Sequence, residues 1–241
     1  MSGSTNETGP IEDALRRSVG PSGGRRRDAG AGERQVSERQ AGDAARRLAA
    51  RVAAEGLADV SYASADSPFG PLLVATTRRG LVRVAFPEED VDSVLESLAR
   101  GLSPRIVEAP APLDTVRREL DEYFQGRRRE FAMELDWALV GRFGRRVLRV
   151  TSQIPYGGVQ SYGEVAADAG SPRGSRAAGN ALGSNPIPIV IPCHRVLRSG
   201  GALGGYGGGV ERKRWLLELE GAIAVRRQGE RVAGQRAPRR D

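Results

Sequence analysis

The chain is 241 residues long, has a formal net charge of +7 and contains one cysteine and one histidine. A single thiol excludes an internal disulfide and any zinc site built from several thiolates of one chain, and it marks a reduced compartment, the cytoplasm. No run of about 18 apolar residues is available to cross a membrane, and the N-terminus lacks the basic-then-apolar order of a secretory leader. The charge is unevenly placed, a net −5 over residues 58–140 and a net +6 over 141–223, which points to a polyanion at one end of the molecule.

Residues 1–57 are rich in Gly, Ser, Ala and Arg and have no aromatic side chain. Such a segment buries too little surface to offset the entropy of ordering, so a disordered extension is expected. Ala45, Leu48 and Val52 recur at roughly helical spacing through 43–55, which allows either a docking helix or a solvated one. An ordered α/β domain is expected over 58–140. Val60–Ser64, Leu72–Thr77 and Leu81–Phe86 read as three strands joined by turns at 67–70 and at Arg79-Gly80. Val91, Val94, Leu95 and Leu98 follow at i, i+3, i+4 and i+7, an amphipathic helix that Gly101 ends. Leu113, Val116, Leu120 and Phe124 mark a second helix closed by Gly126, and Phe131–Trp137 reads as an extended return.

A second domain is expected over 141–223. Phe143, Val147, Leu148 and Val150 to Ile154 predict a helix that stops before Pro155. Ser161-Tyr162-Gly163-Glu164 has the Ser-x-x-Glu pattern of a capping box at the start of a helix running to about Ala169. Gly170-Ser171-Pro172 breaks it, and a short helix from Ser175 to Leu182 completes a helix-turn-helix plan. Ala177, Ala178, Gly179 and Ala181 leave this last helix almost without side chains, which suits close approach either to DNA or to a neighbouring helix. A C-terminal helix spans 212–220, with Trp215, Leu216 and Leu219 expected inside and Gly221 as its cap. Glu220 then faces the negative end of the helix dipole, a penalty of about 0.3–1 kcal/mol at exposed sites that something should offset. Residues 224–241 form a basic tail, expected to be disordered, that either attracts phosphates or is simply solvated.

The cysteine and the histidine stand side by side in Ile191-Pro192-Cys193-His194-Arg195-Val196, after Pro186 and Pro188 and before a glycine-rich loop with Tyr206 in it. Either residue alone reads as a core side chain. Together they suggest a thiol nucleophile and its base. Adjacent side chains of an extended segment face opposite ways, so proton transfer between them needs a turn or a bridging water.

Pro-Cys-His-Arg-Val, with Asn185-Pro186-Ile187-Pro188-Ile189-Val190 before it and Gly204-Gly205-Tyr206-Gly207-Gly208-Gly209 after it, resembles the active-site signature of the O6-alkylguanine-DNA alkyltransferases, the methylated-DNA:protein-cysteine methyltransferases. The resemblance covers about residues 58–222 and is dense from 141 onward. It implies an α/β N-terminal domain with a small antiparallel sheet and helices, ribonuclease H-like. The C-terminal domain it implies is mostly α and winged-helix-like, with the helix-turn-helix. It implies irreversible transfer of the alkyl group from O6-alkylguanine, with O4-alkylthymine as a further candidate, in a flipped-out nucleotide of duplex DNA to Cys193. Each molecule would act once.

In that resemblance His194, Glu220 and a water activate Cys193, and Asn185 ties the recognition helix to the active-site turn. Tyr162, Arg176, Ala177, Ala178, Gly179, Tyr206, Gly207, Lys213 and Arg195 are the implied substrate- and DNA-binding set, with Arg176 filling the space of the extruded nucleotide. The family often has serine where this chain has Gly207; a backbone donor survives that change and a hydroxyl role does not. The implied partner is double-stranded DNA carrying O6-alkylguanine, bound by a monomer with no cofactor, no metal and no membrane. Two rival readings remain at this stage: a non-catalytic damage binder, and a thiol hydrolase using Cys193, His194 and Glu220.

Overall fold

The computed structural model describes the backbone of residues 27–224, and side chains from residue 39 onward. The disorder expected for residues 1–26 and for the C-terminal tail concerns residues outside those described. Helix α1 spans Arg27–Ala54, more than the 43–55 stretch that the apolar spacing singled out. Ala, Arg, Gln and Glu are good helix formers whatever their tertiary contacts, so a segment too polar to build a core can still be helical. Ala45 and Leu48 are exposed, Leu48 at 62%. Among the described residues no helix is long and apolar enough to cross a membrane.

The N-terminal domain opens with the meander β1 (Val60–Ala65), β2 (Leu72–Thr77) and β3 (Gly80–Ala85). The sheet is covered on both faces: Leu72, Val74 and Val84 are buried in one core cluster, and Val60, Ala75 and Val82 in another. The amphipathic stretch then forms α2 (Val91–Gly101), capped by the Asp90 side chain on the Ser93 amide. The sheet is mixed rather than purely antiparallel. After α2 the chain returns as β4 (Ile106–Glu108), which pairs parallel to β1, giving the order β3-β2-β1-β4. A parallel neighbour requires a crossover, and α2 supplies it. Helix α3 (Asp114–Phe124) follows a 3-10 turn at Ala111–Leu113 and is closed by Gly126 at φ 71°. The extended return runs beside β3, where Leu81 pairs with Leu135.

The C-terminal domain is helical. Helix α4 (Arg142–Ser152) buries Val147, Leu148 and Thr151. Helix α5 (Tyr162–Asp168) begins with both halves of the capping box, Ser161 Oγ accepting from the Glu164 amide and Glu164 accepting from the Ser161 amide. Helix α6 (Ser175–Gly183) follows the turn at 169–174. A two-residue parallel pair, β5 (Gln160–Ser161) with β6 (Val196–Leu197), ties the entrance of α5 to the exit of the cysteine turn. Helix α7 (Val210–Leu219) ends the domain, with Gly221 at φ 68° beyond its cap. Leu216 and Leu217 are its fully buried apolar residues, while Trp215 and Leu219 are half-buried. One core cluster includes Leu72, Leu120 and Tyr123 from the first domain and Val147, Ile187 and Cys193 from the second.

Candidate active site and DNA-binding face

The segment from Asn185 to Val196 is almost entirely buried and is held from both domains. The Val84 amide on β3 donates to Pro186 O at 2.8 Å. Ile189 is the only described residue other than glycine at positive φ, 74°. A β-branched residue there carries strain of about 1–3 kcal/mol. Its complete burial and the surrounding prolines hold the turn in place. The expected bend follows as a 3-10 turn at Cys193–Arg195, so Cys193 and His194 do not lie on opposite faces of a strand.

Cys193 is 7% exposed and lines a cavity with Phe86, Asn185, Pro188, Tyr206 and Gly208. Asn185 stands just past α6 and donates from Nδ2 to Ile191 O at 3.0 Å and to Cys193 Sγ at 3.2 Å, while its Oδ1 accepts from the Ile187 amide. The helix end is thus tied to the nucleophile. Burial pushes the thiol above its ordinary pKa, although the Asn185 amide and the Lys213 ammonium pull the other way. At rest Cys193 is a neutral thiol.

Behind it, His194 is fully buried and its Nε2 lies 2.9 Å from Glu220 Oε1. Burial alone would raise the Glu220 carboxyl, but His194 and Arg195 hold it well below the usual carboxylate range. Glu220 is therefore an anion and Nε2 is the nitrogen that donates to it. Burial lowers the imidazole's proton affinity against the pull of Glu220, so His194 rests neutral with an unprotonated Nδ1. Nδ1 and the Tyr206 hydroxyl are both buried polar atoms without a hydrogen-bond partner in the described protein. The hydroxyl is held protonated, because burial pushes its pKa well up. A bare acceptor on the residue that follows the thiol in the chain and a free donor on the wall of its cavity therefore accompany it.

Glu220 caps α7 where the dipole disfavours it, and the offset is now explicit. Arg195 forks onto both its oxygens, Nε to Oε2 and Nη2 to Oε1, each at 2.8 Å. Tyr123 donates its hydroxyl to Oε1 at 2.7 Å, and the Gly157 amide approaches Oε2 at 3.4 Å. Arg195, grouped above with the DNA-contacting residues, is 5% exposed and turned inward, because the buried carboxylate demands a planar bidentate partner. Tyr123 was read only as part of the first domain; its sole sequence signal is that it shares a helix face with Val116 and Leu120 at i, i+4 and i+7.

Lys213 is the only lysine among 37 basic residues and is completely buried. Its ammonium donates to Val196 O at 2.6 Å and Gly205 O at 3.3 Å and lies 5.8 Å from the Tyr162 ring centre. Burial pushes its pKa down to about 8. It stitches the cysteine turn to the glycine loop and does not reach the surface. Tyr162 donates to Gly205 O at 3.2 Å and borders Gly179. On α6, Arg176 and Ala177 are exposed and Gly179 is half-exposed, but Ala178 is completely buried. The helical period turns Ala178 into the core, so it packs the helix-turn-helix instead of facing DNA.

Gly207 and Gly208 differ. A Cβ on Gly207 would meet only Gly183 O at 3.6 Å, whereas one on Gly208 would lie 2.6 Å from the Phe86 ring and 2.8 Å from the Tyr206 ring. Phe86 and Tyr206, with centroids 6.1 Å apart, form the cavity wall, and the Arg212 guanidinium sits 4.8 Å from the Phe86 centroid while pairing with Glu88.

A helix-turn-helix domain that presents a buried thiol, backed by an imidazole and a fixed carboxylate, defines a DNA-directed protein with a cysteine nucleophile. Residues 142–222 match the DNA-binding domain, and residues 60–137 the ribonuclease-like domain, of 6-O-methylguanine DNA methyltransferase. The methylated-DNA–protein-cysteine methyltransferases of Mycolicibacterium paratuberculosis and Mycobacterium leprae are 43% and 45% identical to this chain, over 67% and 65% of it and 92% and 90% of their own lengths. The crystal structure of Mycobacterium tuberculosis OGT in complex with DNA is 39% identical, covers 67% of this chain and 92% of its own, and superposes with a TM-score of 0.58. The chain belongs to the 6-O-methylguanine DNA methyltransferase family.

Proposed function

We propose that this chain repairs DNA by taking the alkyl group of O6-alkylguanine onto Cys193, acting in the cytoplasm as a monomer with residues 58–140 and 141–223 as its two domains. The observation that carries the residue assignment is the pair of unpartnered buried polar atoms, His194 Nδ1 on the residue after the thiol and Tyr206 Oη on the wall of the thiol's cavity. The exposed, short-side-chained surface of α6 lies on the DNA, and Arg176 enters the space left when the damaged nucleotide is extruded.

In the pocket, Tyr206 and the backbone around Gly207 face the guanine oxygen, and Tyr162 borders the ring. The thiol gives its proton through a water to His194 Nδ1, and Glu220 stabilises the imidazolium through Nε2. The thiolate then attacks the alkyl carbon in line with the O6 bond. A sulfur–carbon bond forms, the carbon–oxygen bond breaks and its electron pair passes to the guanine oxygen. Guanine recovers one proton, balancing the one lost by the thiol. Cys193 is the only cysteine, so no second thiol can regenerate it. Each molecule therefore repairs one lesion. Incubation with a duplex holding one O6-methylguanine, followed by intact and peptide mass analysis, should find one added methyl on the Cys193 peptide, saturating at one per molecule. Tight binding without mass gain would overturn the reading in favour of a damage binder.

A further inference from the structure

Tyr123 belongs to α3, in the domain that carries neither the thiol nor the helix-turn-helix, yet its hydroxyl is the shortest contact to Glu220. The ring is completely buried and packs on Phe124, Phe131 and Tyr156, with centroids 5.6, 5.2 and 6.2 Å away. A phenylalanine would keep all three contacts. A hydroxyl in that setting is costly unless bonded, and the bond it makes is to the carboxylate behind the base. Five donors converge on Glu220 from three directions: Tyr123 from α3, Gly157 from the loop after α4, and His194 with both Arg195 nitrogens from the cysteine turn. A carboxylate has about four lone-pair sites. Oε1 alone is shared by Tyr123, His194 and Arg195, so the phenol competes with the imidazole for the same oxygen while pinning it.

We propose that Tyr123 is a positioning residue for alkyl transfer: its phenol, delivered by the ribonuclease-like domain, fixes Glu220 and through it the imidazole that receives the thiol's proton. The assignment rests on the alkyl-transfer reading above. It gives the first domain a part in the chemistry beyond packing. The other charged or titratable groups facing this cluster are Arg195 and Tyr156 around Glu220, and Lys213, Cys193 and Tyr206 around His194.

His194 is the only histidine, so nitrogen-15 and proton NMR of the imidazole report on it without ambiguity. In Tyr123→Phe, Oε1 leans toward the imidazole: the Nε2–H proton should move downfield, and any titration of the ring should move to higher pH. Because the ring is no longer held in place to receive the thiol's proton, the single-turnover rate of methyl transfer from the lesion duplex should fall several-fold although the imidazole is the stronger base, with duplex affinity and melting temperature near those of the wild type. An imidazole signal superimposable on the wild type, or an unchanged transfer rate, overturns the assignment. Wild-type protein that fails to methylate Cys193 refutes the alkyl-transfer reading itself, and is told apart because the wild type is measured first.

Discussion

Glu220→Gln is the most informative perturbation of the site. The substitution keeps the shape and removes the charge, leaving a buried Arg195 and its fork without an anion. Glu220 and Arg195 are 6% and 5% exposed, so water does little to compensate. Breaking one side of a buried ion pair costs about 3–5 kcal/mol, a large part of the roughly 5–15 kcal/mol that holds a domain folded. For a chain of this size each kcal/mol moves the melting temperature by about 2–4 °C, so a fall on the order of 10 °C is expected at pH 7. The pH dependence has a definite sign. The folded carboxyl titrates well below its unfolded value of about 4.3, so the stabilisation is complete above that pH and is lost as the pH falls through the folded value. The gap between wild type and variant in thermal melts should therefore narrow in acid. Single-turnover transfer should also drop sharply, because Nε2 loses its anionic partner. A variant that melts within about 2 °C of the wild type at pH 7 would refute the argument that this pair is a buried, charge-dependent clamp.

Cys193→Ala should abolish methyl transfer while retaining affinity for the lesion duplex in a gel-shift titration; residual transfer would mean the nucleophile is another group. Lys213→Met removes an ammonium whose pKa is pushed from 10.5 to about 8. Between those values the unfolded chain binds the extra proton, so wild-type stability should gain a rising contribution from pH 8 to 10.5 that the variant lacks, read from denaturant midpoints. The two glycines of the pocket should part company. Gly207→Ser should melt like the wild type and transfer within about twofold, because its new side chain meets only ordinary contacts. Gly208→Ala must push Phe86 and Tyr206 apart and should slow transfer at least several-fold; equal rates for the two would discredit the cavity wall described here.

Much of the architecture is legible because it is written in local periods. The stripes at Val91–Leu98 and Val116–Phe124, the Ser161–Glu164 box and the Gly221 stop each state a helix in a few neighbouring residues. β4 escapes because three half-buried or exposed residues carry no alternation to read. Ala177 and Ala178 are alike as letters, and only the helix phase separates an exposed position from a buried one. Glu220 was legible through an electrostatic misfit, a carboxylate at the wrong end of a helix, although its partners were not. The guanidinium of Arg195 could as well have served a phosphate, and nothing local says it turns inward. Tyr123 lies 97 residues from the carboxylate it contacts, and a tyrosine on an apolar helix face reads as core. Long-range polar contacts of this kind leave no mark in sequence spacing.

The burial of Cys193 has a consequence for the time before any lesion is met. A reagent that can be spent once must survive waiting, and cellular peroxides and electrophiles attack the exposed thiolate form of cysteine. Here Cys193 is 7% exposed, lines a walled cavity, and is kept protonated by its surroundings. The shelf life of the molecule is thus set by the same packing that encloses its single thiol.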